Sequence, residues 1–528
     1  MSVSRRPPVD KARRAWGLAT LAAVVASLAM AGLDPTELVN TRGWGQVSRF
    51  LTASVRPDLS PDLLWITVRE SGVTLAYALV GTALSLVIGL VGGLLLTEKV
   101  WTQLDGSLGH GRWVWGALRL LAAGPRSIHE VVFGLLLVFV LGLNPLVAVL
   151  AIGLPFGAVT AKVFAELLDD APESATATLR AQGFSPFAAV VFGALPQAMG
   201  DILSYAFYRL ECGIRSAAVL GIVGAGGLGF QLALSFQSLA YNEMWTFLWA
   251  LILISGLADR WSSLVRRGST PTRSLWVALA ALPFAWWGLH IDLSTLWSRR
   301  ARTLGSELLA DALPPKLPRG GWSELLGDTA DTLALSILSI LMAWIAGSVF
   351  AFMSARRTSD GLGAGSALSV AVGIVTRFFL LVARAVPPPV WALIVVFVLF
   401  PGLWPGAVAL AIYNAGVLGR LQAEVVENHN PSAANTLRAT GATPMSASIM
   451  ATVPIVSPRF VALGLYRWEV GVRETVMVGV VGAGGLGRAL DEQVSAFAYP
   501  RITTTILALM VATIVVDFSS SSIRRTIR

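Results

Sequence analysis

The feature that most constrains this chain is that it is written twice. Residues 208–229 read YRLECGIRSAAVLGIVGAGGLG and residues 466–487 read YRWEVGVRETVMVGVVGAGGLG, with 13 of the 22 positions identical. The second string starts 258 residues after the first (466 − 208). The same shift maps Thr74 onto Thr332, Arg119 onto Arg377, Arg126 onto Arg384, Glu166 onto Glu424, Gly183 onto Gly441 and Asp259 onto Asp517. It also carries Arg266 and Arg267 onto Arg524 and Arg525, and slips by two residues only around Leu143 to Leu150. Self-similarity at a fixed period marks a repeated structural unit. Residues 1–268 and 269–528 are therefore expected to be two copies of one domain.

Composition says where those copies live. Of 528 residues, 55% are hydrophobic and 13% charged, and the mean hydropathy is +0.68. A soluble chain carries about 25% charged residues, so a soluble enzyme, a coiled coil and a disordered chain are excluded. The net charge of +9 fits the excess of Lys and Arg in cytoplasmic loops of membrane proteins and calls for no nucleic acid. Cys212 stands alone, and His110, His129, His290 and His429 lack ligand spacing, so neither a disulfide framework nor a metal site is read. Trp pairs such as Trp113 with Trp115 and Trp286 with Trp287 suit interfacial belts.

Apolar stretches fall near 15–33, 72–97, 114–143, 145–163, 186–209 and 243–257, about six spans at ~20 residues each. Arg5, Arg6, Lys11, Arg13 and Arg14 precede the first, which is read as a retained helix with its N-terminus inside. Arg260, Arg266, Arg267 and Arg273 mark the junction, another six spans follow, and Arg524, Arg525 and Arg528 close the chain on the same side. The expectation is an all-α integral membrane fold of about twelve helices, two parallel repeats of about six around a central pathway. The segment 291–323, with Arg299, Arg300, Arg302, Lys316 and Arg319, should lie outside although it is basic.

The strings 224–229 and 482–487 satisfy G-x-G-x-x-G. A dinucleotide site needs a preceding strand, a following helix and an acid about 20 residues on, whereas here the context is intramembrane and in the first copy the residue about 20 on is not acidic. Gly226, Gly227, Gly484 and Gly485 are read instead as a helix break beside a transport pathway. Glu211 with Arg215, and Glu469 with Arg473, stand at i,i+4 in the favourable order. Ionisable groups at membrane depth cost at least about 2.5–3.5 kcal/mol each and so pair or face a cavity. Two readings stay open: a neutral brace for the broken helix, or a positive passage for an anion joined by Arg209 and Arg467. The guanidinium fork suits phosphate-like groups. Arg126 and Arg384, the latter just before Pro387-Pro388-Pro389, are candidates for the same role, whereas Glu166 and Glu424 read as interfacial. Glu130 has no acidic counterpart, because Pro388 stands there.

A short, less apolar segment recurs at about 172–186 and 431–444. It carries Thr178-Leu179-Arg180-Ala181-Gln182-Gly183 before Pro196, and Thr436-Leu437-Arg438-Ala439-Thr440-Gly441 before Pro454. The upstream prolines, Pro172 and Pro431, and the closing glycines frame a short helix, on the inner side by the span count.

These segments resemble the coupling motif of bacterial ABC-importer permeases, E-A-A-x3-G-x9-I-x-L-P. Gly183, Pro196, Gly441 and Pro454 fall on its fixed positions. The motif's Glu is Ala177 and Asn435 here, its Ile is Gly193 and Ala451, and its Leu is Leu195 and Val453. The wording T-L-R-A-x-G, with E-x-x-x-R and V-G-A-G-G-L-G downstream, is most similar to phosphonate-type permeases, with methionine-type permeases the nearest rival. The resemblance implies a type I, methionine-permease-like fold with two permease domains fused in one chain. It implies two copies of an ABC ATPase seated on Thr178, Leu179, Arg180, Ala181 and Gly183 and on Thr436, Leu437, Arg438, Ala439 and Gly441. Arg180 and Arg438 would stand in for the missing Glu. It further implies an extracytoplasmic binding protein and a small anionic substrate, a phosphonate, phosphate or phosphite. The setting would be a bacterial cytoplasmic membrane with both termini inside. The chain has no P-loop and no catalytic constellation, so it is not read as an enzyme, and ATP and Mg would be held by the partner. The competing reading is a twelve-helix carrier driven by an ion gradient, with Glu211 and Glu469 as its titrating groups.

Overall fold

The computed structural model describes residues 11–32, 40, 43–102, 110–266, 271–355, 367–400 and 402–527. Arg5, Arg6, Leu33, Arg267 and Arg528 lie outside them. The first copy supplies α1 (Lys11–Ala31), α2 (Trp44–Ala53), α3 (Pro61–Leu96), α4 (His110–Ser127) and α5 (Glu130–Leu141). It continues with α6 (Pro145–Asp170), α7 (Glu173–Ala181), α8 (Leu195–Leu220), α9 (Gly227–Gln237) and α10 (Tyr241–Arg266). The second copy follows with α11 (Pro271–Gly288), α12 (Arg299–Asp311), α13 (Gly321–Ser354), α14 (Ala367–Ala385) and α15 (Pro388–Val398). It ends with α16 (Leu403–Glu427), α17 (Ser432–Ala439), α18 (Val453–Val478), α19 (Gly485–Ser495) and α20 (Tyr499–Ile527). Each helix thus has its counterpart ten labels later. Even the connections repeat. Asp58 N–H donates to Asn242 O (3.2 Å) and Thr246 Oγ1 to Asp58 O (2.6 Å). One period on, Lys316 N–H donates to Pro500 O (2.9 Å) and Thr504 Oγ1 to Lys316 O (2.6 Å).

Between helices in lipid no hydrophobic gain drives contact, so close packing of small residues does. On α3, Gly81, Ser85, Gly89 and Gly93 recur every fourth position and face α6. A Cβ on Gly93 would stand 2.7 Å from Phe164 Cβ. The equivalent stripe on α13, Ser339, Ala343, Gly347 and Ala351, is likewise small and sits against α16.

Prolines bend the chain where the period places them. The helices of α4 and α5 meet at 81° and those of α14 and α15 at 100°, after Pro125 and at Pro387–Pro389, where missing N–H donors interrupt the ladder. Pro196 and Pro454 have a subtler effect. Each is preceded by a single π turn, with Leu195 N–H bonded to Val190 O and Val453 N–H to Ser448 O, because the proline has no donor for the ordinary register. The fifth apolar stretch does not stop at Arg209 as the hydropathy suggested. It runs over Pro186–Ala225, which places Arg209 in mid-helix. Among the described residues, 8 helices are long and apolar enough to cross a membrane, or up to 10 with each bent pair as one span. The two others needed for about twelve, α11 and α16, fall short of that criterion.

The repeat boundaries at 268 and 269 mark copies of sequence, not compact bodies. One unit comprises Met1–Val47 and Pro315–Arg528, the other Ser48–Pro314. Within the former, α1 lies against α13 and α20; within the latter, α11 lies against α3 and α10. Each copy's leading helix therefore packs on the other copy's helices, a pairing that no period reports.

The basic segment also finds its place. Asn144, at the head of α6, donates from Nδ2 to Thr295 Oγ1 (3.2 Å), α12 packs on α5, and the Arg300 guanidinium adjoins Gly142. The 26 residues of α6 span about 39 Å at 1.5 Å each. Arg299, Arg300 and Arg302 thus lie at the opposite end of α6 from α7. Nearby Asp292 accepts from the side chain and backbone of Ser294, which holds its carboxyl below the ordinary aspartate range.

Candidate functional site

The two short helices α7 and α17 stand out from their surroundings by exposure. Thr178, Ala181 and Gly183, with Thr436, Ala439 and Gly441, are exposed, and Leu179, Arg180, Leu437 and Arg438 half-buried. Each helix has one buried anchor, Thr176 and Ala434. Gly193 lies under the first, where a Cβ would meet Thr176 N at 3.1 Å, so the close seat leaves no room for a branched residue. Gly183 and Gly441 both end their helix at φ +90, a left-handed cap that glycine adopts without strain. Gly183 N–H reaches Arg180 O (2.9 Å) and Phe184 N–H reaches Leu179 O (3.1 Å), with Gly441 on Arg438 O (2.9 Å) and Ala442 on Leu437 O (3.0 Å) in the other copy. Each arginine makes one local bond. Arg180 Nη1 donates to Phe184 O (2.6 Å) and Arg438 Nη1 to Asn435 Oδ1 (3.4 Å). Phe184, Phe187 and Met445 beside these helices are exposed by 41%, 48% and 70%. These apolar side chains escaped the motif reading because the motif does not specify them.

The glycine strings break the helix as expected. Gly224 and Gly226 have φ +106 and +92, Gly482 and Gly484 φ +98 and +85. The new helix then docks sideways: Leu228 N–H donates to Thr74 Oγ1 and Leu486 N–H to Thr332 Oγ1, both at 2.9 Å. Gly227 N–H goes to Glu70 Oε2 (3.1 Å). A Cβ on Gly227 or on Gly485 would lie 2.6 Å from the threonine oxygen. These donors are consumed within the chain, which leaves no phosphate cradle of the dinucleotide type.

Among the candidate charges, Glu211 and Arg215 form the expected pair (3.6 Å). Glu469 instead receives Arg524 Nη1 of α20 at 2.5 Å. Both acids that an ion-driven carrier would titrate are thus in ion pairs. Lys162 with Glu166 (3.7 Å) and Arg420 with Glu424 (3.2 Å) make equivalent i,i+4 bridges. Arg126 and Arg384 close α4 and α14 at the two bends, Arg384 being buried. Among the described residues no cluster of His, Cys, Asp or Glu is arranged for a metal.

Arg209 and Arg467 are where the copies part. Both are buried, 7% and 8% exposed. Arg467 Nη2 bonds Glu474 Oε1 (2.6 Å), its Nε donates to Asn414 Oδ1, and Asn414 Nδ2 donates to Glu474 Oε2 (3.2 Å). Tyr413 lies under the guanidinium, its ring centroid 5.5 Å from Cζ. One period earlier Phe156 replaces Asn414 and Ser216 replaces Glu474. There the Arg209 guanidinium stacks on Phe156, 3.7 Å from the ring centroid, and its Nε and Nη2 have no hydrogen-bond partner among the described residues. The acid of this copy is Glu130, bonded by Ser216 Oγ (2.7 Å) and His129 Nε2 (3.2 Å).

Two duplicated exposed helices thus stand on a bent, proline-marked scaffold of apolar helices. The chain belongs to the family of binding-protein-dependent transport system inner membrane components, whose profile matches residues 104–259 and 361–528. It is similar to the phosphate-import permease protein PhnE of Mycolicibacterium smegmatis, at 27% identity over 414 residues, 76% of this chain and 75% of that one. It is also similar to the phosphite transport system permease protein PtxC of Stutzerimonas stutzeri, at 32% identity over 218 residues, 41% of this chain and 76% of that one. Among solved structures, a chain of the inward-facing methionine ABC transporter MetNI is covered in full by 40% of this chain, at 20% identity and TM-score 0.35. The protein is thus a multi-pass membrane permease component, with both permease repeats in one chain.

Proposed function

We propose that this chain is the complete permease of an ATP-driven importer for a phosphorus oxyanion: a phosphonate, phosphate or phosphite. The observation that carries the reading is the matched pair of exposed helices α7 and α17. Each is rooted by a single buried residue and framed by the family's Gly and Pro positions. One ATPase subunit would seat on each, two per chain, with Leu179, Phe184 and Phe187 in one contact and Leu437 and Met445 in the other. ATP and Mg would be bound by those subunits. Closure of the ATPase pair would move α7 and α17, and with them α8 and α18, alternating access between the two faces of the membrane. A binding protein would deliver substrate at the end carrying Arg299, Arg300 and Arg302. The setting is a bacterial cytoplasmic membrane with both termini inside. The phosphorus substrate is supported by the relatives, one a phosphate-import permease protein and the other a phosphite transport system permease protein.

The test is a mild-detergent purification of the chain from its native membrane, with co-purifying proteins weighed and identified. A P-loop ATPase at two copies per chain supports the reading, and a co-purified binding protein is then titrated with phosphate, phosphite and methylphosphonate. Recovery of the chain alone, under conditions that keep other ABC complexes whole, sinks it.

A further inference from the structure

We infer that the two copies have divided a role between their equivalent arginines. Arg209 alone is an oxyanion-recognition group of the transport cycle, whereas Arg467 is a locked structural residue. The inference deepens the proposed function and rests on it for the identity of the anion.

The argument turns on one edge of the guanidinium. Nε and Nη2 lie side by side and present two parallel N–H donors, the face that grips two oxygens of a phosphate or carboxylate at once. In the second copy this edge is spent, with Nε on Asn414 and Nη2 on Glu474. In the first copy the same two atoms are shielded from solvent and have no partner, and Arg209 is the one described residue with two side-chain nitrogens in that state. Buried donors are almost always satisfied, so an empty pair calls for a reason. The Phe156 ring lies against the guanidinium without consuming an N–H. The neighbouring acid does not close the gap either. Glu130 is near enough to act on Arg209 electrostatically, yet it bonds Ser216 and His129 and neither Nε nor Nη2 of Arg209. Phe156 for Asn414 and Ser216 for Glu474 replace both of the partners that Arg467 has, and Ser216 instead bonds Glu130, which stands where the other copy has Pro388. A tetrahedral oxyanion of phosphorus supplies the two acceptors that the edge lacks. The edge is shut in this conformation, so the anion reaches it when α8 moves relative to α6 during the cycle.

The experiment uses the full chain reconstituted in proteoliposomes with its ATPase and binding protein, in wild type, R209Q, R209K and R467Q. Uptake of labelled inorganic phosphate is read per folded chain, beside thermal melting of each purified variant. R209Q should lose at least about tenfold in uptake and R209K should recover part of it, while R467Q should lose melting temperature yet keep uptake within about twofold. Equal uptake by R209Q and wild type overturns the inference, as does an equal loss per folded chain in R209Q and R467Q. If wild type takes up neither phosphate, phosphite nor methylphosphonate, the functional reading falls instead. The division between the arginines is then judged by melting alone, where equal destabilisation by R209Q and R467Q overturns it.

Discussion

Arg209 and Arg467 stand at one position of one helix, written twice, and live in opposite electrostatic circumstances. Around Arg467, α16 and α18 supply Asn414 and Glu474 and close a buried network. Around Arg209, α6 supplies a ring and α8 a hydroxyl that bonds a different acid. The lesson is that duplication conserved the scaffold and left the polar interior free to diverge. The joint between α9 and Thr74 matches that between α19 and Thr332 to the same hydrogen-bond length, whereas the partners of the two buried arginines differ. A fused permease can specialise its halves, because each copy mutates without altering the other.

The largest effect should come from breaking the closed copy. Glu474→Ala strands Arg467 in the interior, and removing one partner of a buried pair costs about 3–5 kcal/mol. Ser216→Ala at the equivalent place loses one hydrogen bond, about 1 kcal/mol. Denaturation of the purified chain in detergent measures both, and similar losses would erase the contrast. Next comes converting the open copy into the closed one. Phe156→Asn with Ser216→Glu and Glu130→Gln rebuilds around Arg209 the partners that Arg467 has. Uptake should fall by about a hundredfold, ~2.7 kcal/mol, while the melting temperature holds or rises. Retained transport would show that the free edge is idle.

A control for the conserved part of the comparison is Gly227→Ala against Gly485→Ala. Each Cβ would press on a threonine oxygen at 2.6 Å, and overpacking of this kind costs about 1–3 kcal/mol. The two variants should lose equally in melting experiments, and unequal losses would mean that the scaffold too has diverged. The smallest effect is expected at Arg180→Ala, below about 1 kcal/mol in stability, since it removes one half-exposed bond to Phe184 O. Substrate-stimulated ATP hydrolysis in that variant should stay close to wild type, with Phe187→Asp the more damaging change beside α7. A reversed ranking would return the coupling contact to the arginine.

Much of this architecture was legible from residues alone. The period of 258, the glycine break, the short helices with their glycine ends and the Glu211–Arg215 pair are written in local spacing, and local spacing is what a sequence reports. The partners of Arg209 were legible only as an anomaly. Phe156 against Asn414, Ser216 against Glu474 and Glu130 against Pro388 are mismatches within an otherwise faithful repeat, and reading those mismatches as a set would have pointed to the site. Glu469 shows the limit from the other side, since its partner Arg524 is 55 residues away, where no helical spacing could announce it.

The sequence by itself determined that this chain is two membrane-embedded copies of a helical unit, each bent at its prolines and broken at its glycines. Those outcomes follow from apolar run length, missing N–H groups and left-handed φ, all properties of neighbours along the chain. Only the tertiary structure decided that α1 and α11 pack with the other copy, and that one buried arginine is bound while its twin keeps an open edge. Those outcomes depend on which helices meet. In a low-dielectric interior, the partner brought by a distant helix sets whether a charge serves as mortar or as a site.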